Sequence, residues 1–170
     1  MTSAIEIVRA SPHFQPGEWP GEVLDWMQPS VMQLVTDARA LSGAPVYPSP
    51  ITRAHVRREW SSSRHSLKDG QRLSDATDVF MRWDGVLAFL AHVWADPQRG
   101  GVGIYTDMIF NGDRPGQWAM LHLDTRPEPL DWVAWRSSPS QPLQYEYEVN
   151  DPAKYRQVLA ERSPLNVNNW

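Results

Sequence analysis

Cysteine is absent from all 170 residues. No disulfide framework can hold this chain together, and no thiolate can bind a metal. Any zinc must be held by His, Asp or Glu, a donor mixture that suits an open catalytic site better than a closed structural one. A basic excess is missing too: 20 acidic residues stand against 16 Lys and Arg, for a formal net charge of -4. That balance disfavours a nucleic-acid partner, which needs cations against phosphates. No apolar run approaches the roughly 20 residues that cross a bilayer, so membrane insertion is not expected. Residues 1–10 lack the basic start and apolar stretch of a signal peptide. The chain is expected to be made in a cytoplasm and to depend on another agent for export or release. Internal repeats and low-complexity segments are lacking as well.

What is present is ordinary for a soluble globular protein, with 41% hydrophobic and 21% charged residues. The length suits one domain, residues 1–170, with a single core. Nine tryptophans are many for this length. Tryptophan fills cores, and it also lines grooves that hold extended ligands.

The first 28 residues carry Pro12, Pro16, Gly17, Pro20 and Gly21 and read as an irregular lead-in, anchored by Phe14, Trp19 and Trp26. Helical spacing follows from Pro29 through Val31, Leu34, Val35, Ala38 and Leu41, with Gly43 as the stop. Ala44 to Tyr47 predicts a short strand, and residues 57–74 a polar loop. Thr77 to Met81 predicts a buried strand. Asp84 is the expected cap of a second helix, with Val86, Phe89, Leu90 and Val93 on its apolar face. Further strands are expected at Gly101–Tyr105, Trp118–Leu123, Trp132–Trp135 and Tyr145–Val149, with a strong turn signal at residues 111–116. Asp151-Pro152 opens a last helix with Tyr155, Val158 and Leu159. The element order predicts an α+β fold.

His65 lies in a polar loop, whereas Asp78 and His122 lie inside apolar strands. A carboxylate in a buried strand is costly unless it is paired or binds a metal. Two histidines and a carboxylate form a normal ligand set for a catalytic zinc with a fourth position left for water. Taken alone, these residues also fit ordinary hydrogen-bonded histidines, with Asp78 capping a turn or pairing with Arg82.

Four short motifs occur in a definite order: Ser63-Arg64-His65, Ala76-Thr77-Asp78-Val79, Gly101-Val102-Gly103-Ile104-Tyr105 and Leu121-His122-Leu123-Asp124. Trp132 or Trp135 follows soon after, and Pro12-His13-Phe14, Trp19 and Gly43-Ala44-Pro45-Val46 precede them. Over about residues 12–136 this pattern resembles the zinc D-Ala-D-Ala carboxypeptidase and L-alanyl-D-glutamate endopeptidase family, which shares its fold with the Hedgehog signalling domain. The resemblance implies a small antiparallel sheet with helices packed on it, residues 137–170 forming an extension on that core. It implies Zn2+ held by His65, Asp78 and His122, and hydrolysis of peptidoglycan stem peptides. It also implies a substrate-binding arginine at Arg53, with Arg57 and Arg58 as alternatives. A phage or prophage origin follows, with access to the wall after membrane disruption or as part of a virion.

The chain departs from the family in two ways. Thirteen positions separate His65 from Asp78, longer than usual, so residues 67–73 read as an insertion and Asp75 is a rival ligand. Some relatives carry a glutamate base three residues before the last His, where Ala119 stands here. Asp124, on the same strand face as His122, is then the candidate base or the residue that orients His122. Asp107 and Asp113 are weaker candidates. The alternative reading is a peptidase-like zinc-binding module without turnover, and a third is an interaction module without metal.

Overall fold

A computed structural model describes residues 2–57, 63–67, 73–114, 116–138 and 140–165. The lead-in opens on a helix, α1 (Ala4–Ala10). Ser3 caps it by accepting the Glu6 N–H, while the Glu6 carboxylate accepts the Ser3 N–H at 2.7 Å. This reciprocal pair meets two backbone donors that the helix itself leaves open. α1 buries Ala4, Ile7 and Val8, so the expected irregular start is corrected for these residues. Short 3-10 turns follow at Pro16–Glu18 and Val23–Trp26. Phe14 and Trp19 are buried anchors, but Trp26 is 36% exposed.

α2 (Pro29–Ser42) ends where Gly43, at φ 65°, takes the left-handed conformation and donates its N–H to the Arg39 carbonyl. Glycine adopts that conformation without the Cβ penalty. Leu41, expected on the apolar face, is exposed. The first strand is only β1 (Tyr47–Pro48). β2 (Ala76–Arg82) runs directly into α3 (Trp83–Ala95). Asp84 lies in the first turn of α3 rather than capping it, where a carboxylate still favours the positive end of the helix dipole. The remaining elements are β3 (Val102–Tyr105), β4 (Trp118–Asp124), β5 (Asp131–Trp135), β6 (Gln144–Tyr147) and α4 (Pro152–Arg162). Asp151 caps α4 by accepting the Lys154 N–H at 2.9 Å. No helix among the described residues is long and apolar enough to cross a membrane.

The fold is α+β, with one six-stranded sheet in the order β1-β2-β4-β3-β5-β6. The expected antiparallel sheet is corrected to a mixed one, because β3 and β5 pair in parallel. β4 lies against one edge of β3 and runs opposite to it, and β5 reaches the other edge of β3 only by turning back once more. α4 packs against β5 and β6.

Alternation along the strands splits the sheet into two faces. Val79, Met81, Leu121, Leu123, Val102, Ile104 and Val133 join the buried core with Val35, Phe89, Leu90 and Val93 of α2 and α3. The opposite face carries Phe80, Trp118 and Met120, which pack with Phe110 in a separate aromatic cluster. The same face carries one cross-strand row: Asp78 opposite His122, His122 opposite Gly103, Gly103 opposite Trp132, and Trp132 opposite Tyr147.

His55 is fully buried and ties the loop before the site to the sheet. Its Nε2 lies 2.8 Å from the Ser49 carbonyl and its Nδ1 lies 2.6 Å from the Thr77 hydroxyl. A carbonyl only accepts, so Nε2–H donates to Ser49 and Nδ1 accepts from Thr77. Burial dominates its titration and pushes it down to about 4 from an ordinary 6.5. Between those values the unfolded chain holds a proton that the folded chain refuses, so stability falls as pH falls. This residue alone is expected to remove on the order of 3 kcal/mol between pH 6.5 and pH 4. NMR titration of the imidazole checks this: a midpoint near 6.5 in the folded protein would refute it.

Candidate metal centre

His122 sits mid-strand in β4 and Asp78 directly across from it in β2. The register alone therefore brings this imidazole and this carboxylate side by side. His65 comes from the loop above the sheet. That loop is pinned by Arg57 N–H to the His65 carbonyl at 2.7 Å and by Leu67 N–H to the Arg57 carbonyl at 3.0 Å. The Ser63 hydroxyl accepts the His65 N–H at 3.3 Å, so the first residue of Ser-x-His shapes the turn that presents the third.

The three side chains converge. His65 Nε2 lies 3.1 Å from His122 Nδ1, His122 Nδ1 lies 3.0 Å from Asp78 Oδ1, and His65 Nε2 lies 3.3 Å from Asp78 Oδ1. All three residues are buried, and together they form a group able to hold a metal ion. A tetrahedral zinc with bonds of about 2.0–2.1 Å spaces its donors roughly 3.3–3.4 Å apart. The observed triangle needs to widen by only a few tenths of an ångström, and its donor set is of the kind zinc accepts.

The tautomer supports the same use. His122 Nε2 lies 3.1 Å from Asp124 Oδ2, which can only accept, so the proton belongs on Nε2. Without a metal, a second proton on Nδ1 is donated to Asp78, which also only accepts; a cation at the centre would take that proton's place. Burial opposes charge on His122, yet its hydrogen bonds to Asp124 and Asp78 outweigh burial and raise its pKa. Asp78 responds in the complementary direction: burial disfavours its charge, but His122 and His65 hold it well below the usual carboxylate range.

Asp124 is saturated. It accepts the Gly101 N–H at 2.6 Å, the Arg126 N–H at 3.0 Å, the Arg126 guanidinium and His122, and its side chain is fully buried. A carboxylate in metal sites commonly fixes a ligand histidine in this way. The glycines of the Gly-x-Gly motif follow from this crowding. A Cβ on Gly101 would fall 2.7 Å from Asp124 Oδ2, and one on Gly103 would fall 2.4 Å from the Trp132 ring. Between His122 and Trp132, glycine leaves the space in which the indole lies over the sheet. The two rings are 5.0 Å apart, and Trp135 instead belongs to the opposite, core face.

The rival residues have other partners. Asp75 pairs with Arg64 and lies outside the triangle. Arg82 pairs with Asp113 at 3.7 Å rather than with Asp78, and Asp113 also accepts the Trp118 indole N–H at 2.8 Å. Asp107 accepts the Arg136 N–H. Ala119 is buried on the core side of β4, because three residues along a regular strand reverses the face. A side chain at 119 therefore points away from His122.

The triangle forms the floor of an open cleft of about 540 Å³. Arg57 lines this cleft and also a neighbouring concavity, whereas Arg53 lines only the latter, with Gly21, Val23 and Trp26. Of the expected arginines, then, Arg57 is the one beside the triangle, and Arg58 lies outside the described residues. Arg64, Arg126, Tyr145 and Tyr147 also line the cleft, and the sequence reading missed them. The alternation Tyr145-x-Tyr147 in a predicted strand was the available signal. No family model matches this chain, and no curated protein or solved structure matches it either.

Proposed function

We propose that this chain is a zinc-dependent peptidase acting on the stem peptides of peptidoglycan, with His65, Asp78 and His122 as its metal ligands and a Hedgehog-type peptidase fold. The observation that carries this reading is the buried triangle of donors, 3.0–3.3 Å on each side, at the floor of an open cleft. The four ordered motifs supply the substrate class. Bound zinc would polarise a peptide carbonyl and ease deprotonation of water.

The chain's own residues would bind and orient. Asp124 fixes His122 with Nδ1 toward the cleft. Arg57, Arg64 and Arg126 line the cleft with guanidinium groups, a kind that grips peptide carboxylates, although those of Arg64 and Arg126 also pair with Asp75 and Asp124. Tyr105 also lines the cleft, and burial raises its pKa, so its hydroxyl stays protonated and able to donate.

One observation favours a zinc-binding module without turnover. Among the described residues lining the cleft, the only carboxylate and imidazoles are the three ligands themselves. Asp124, with its oxygens already engaged and its pKa held low, is a poor base. The readings separate in one experiment: incubate the zinc-loaded chain with purified cell walls and identify released fragments by mass spectrometry. Release of stem peptides that is lost in His122→Ala supports the peptidase. Zinc retained in a chain that leaves walls intact supports the module, and no retained zinc defeats both.

A further inference from the structure

β6 lies beyond the stretch that carries the family resemblance, yet it completes one wall of the metal cleft. Tyr145 and Tyr147 are on the metal-facing side, while Glu146 between them is buried and pairs with Lys154 of α4. Tyr147 stands opposite Trp132, their rings 6.3 Å apart. Tyr145 stands opposite Ala134, whose small side chain lets it meet Tyr105 edge-on at 6.4 Å and 89°. The rings of Tyr145 and Tyr147 are nearly parallel, at 17°, with centroids 6.4 Å apart. Tyr145 is 45% exposed, an apolar ring left in water at the mouth of the site.

This wall presents two nearly parallel tyrosine rings, the outer one exposed, each tipped with a hydroxyl. Tyrosine offers wide amphipathic contact at little entropy cost. The matching ligand has one flat apolar face and hydroxyls at its rim, which describes a pyranose. An aliphatic peptide side chain would gain more from an enclosed apolar pocket than from an open ledge. We propose that Tyr145 and Tyr147 form a saccharide-stacking subsite that holds an N-acetylated amino sugar adjoining the stem peptide. The choice of sugar rests on the peptidase reading, since peptidoglycan stems are linked to such a sugar.

The test uses the full zinc-loaded chain. A tetramer of β-1,4-linked N-acetylglucosamine is titrated calorimetrically into wild type, Tyr145→Ala and Tyr145→Phe. The wild type binds, Tyr145→Ala binds about tenfold more weakly, as loss of one aromatic contact implies, and Tyr145→Phe stays close to wild type. Circular dichroism verifies that the variants fold. In parallel, kcat/KM is compared for a disaccharide-linked stem peptide and the same peptide without sugar. The preference for the linked substrate falls about tenfold in Tyr145→Ala. No sugar binding by wild type, or the same preference in wild type and variant, overturns the subsite. Sugar binding without cleavage of either substrate upholds the subsite and defeats the peptidase reading instead.

Discussion

Zinc added to the metal-free chain is expected to bind one ion per chain and to raise the melting temperature by roughly 8–16 °C at a thousandfold excess over Kd. An ion that binds only the folded state at that excess contributes about 4 kcal/mol, and a domain of this length shifts by about 2–4 °C per kcal/mol. His122→Ala removes one donor of three and abolishes the rise. The same variant is expected to lose about 3 kcal/mol even without metal, because the buried Asp78 carboxylate loses a hydrogen-bonded partner. Metal analysis and differential scanning calorimetry measure both effects. Equal zinc-dependent shifts in wild type and His122→Ala would eliminate the triangle as the binding site.

Gly103→Ala is expected to lower stability by about 3 kcal/mol and the melting temperature by roughly 6–12 °C, as overpacking does in a rigid core. The new methyl would lie 2.4 Å from the Trp132 ring. That ring cannot easily retreat, since His122 lies 5.0 Å away, the Arg126 guanidinium 5.6 Å and Tyr147 6.3 Å. Displacing the indole also displaces His122, so zinc affinity falls about tenfold or more. Adding Trp132→Ala to this variant relieves the clash, and the two changes should cost less together than their separate effects combined. A Gly103→Ala chain within about 0.5 kcal/mol of wild type would show that the close approach is not a constraint.

Local pattern made much of this legible. Helical periodicity and Gly43 located α2, apolar runs located β2 and β4, and Asp151-Pro152 located the start of α4. The convergence of His65, Asp78 and His122 was an expectation from the ordered motifs, and the coordinates bring these three side chains together. What escaped was non-local. Whether β5 pairs with β4 or β3 depends on the route of the chain between strands, so the mixed sheet was not readable. α1 is hard to read because seven residues show little periodicity, although Ser3 and Glu6 carry its signature. Arg53 and Arg57 both precede the Ser-x-His motif and share one concavity, and only the fold shows that Arg57 also reaches the cleft over the triangle.

Two of the three donors are neighbours by virtue of strand pairing, whereas the third arrives on a loop. An incoming ion can be caught first by the pair and then clasped by His65, so the rate of metal escape should be governed by how often that loop lifts. Weakening the latch formed by the Arg57 amide and the His65 carbonyl would then hasten zinc exchange with a chelator while leaving the pairwise capture step intact.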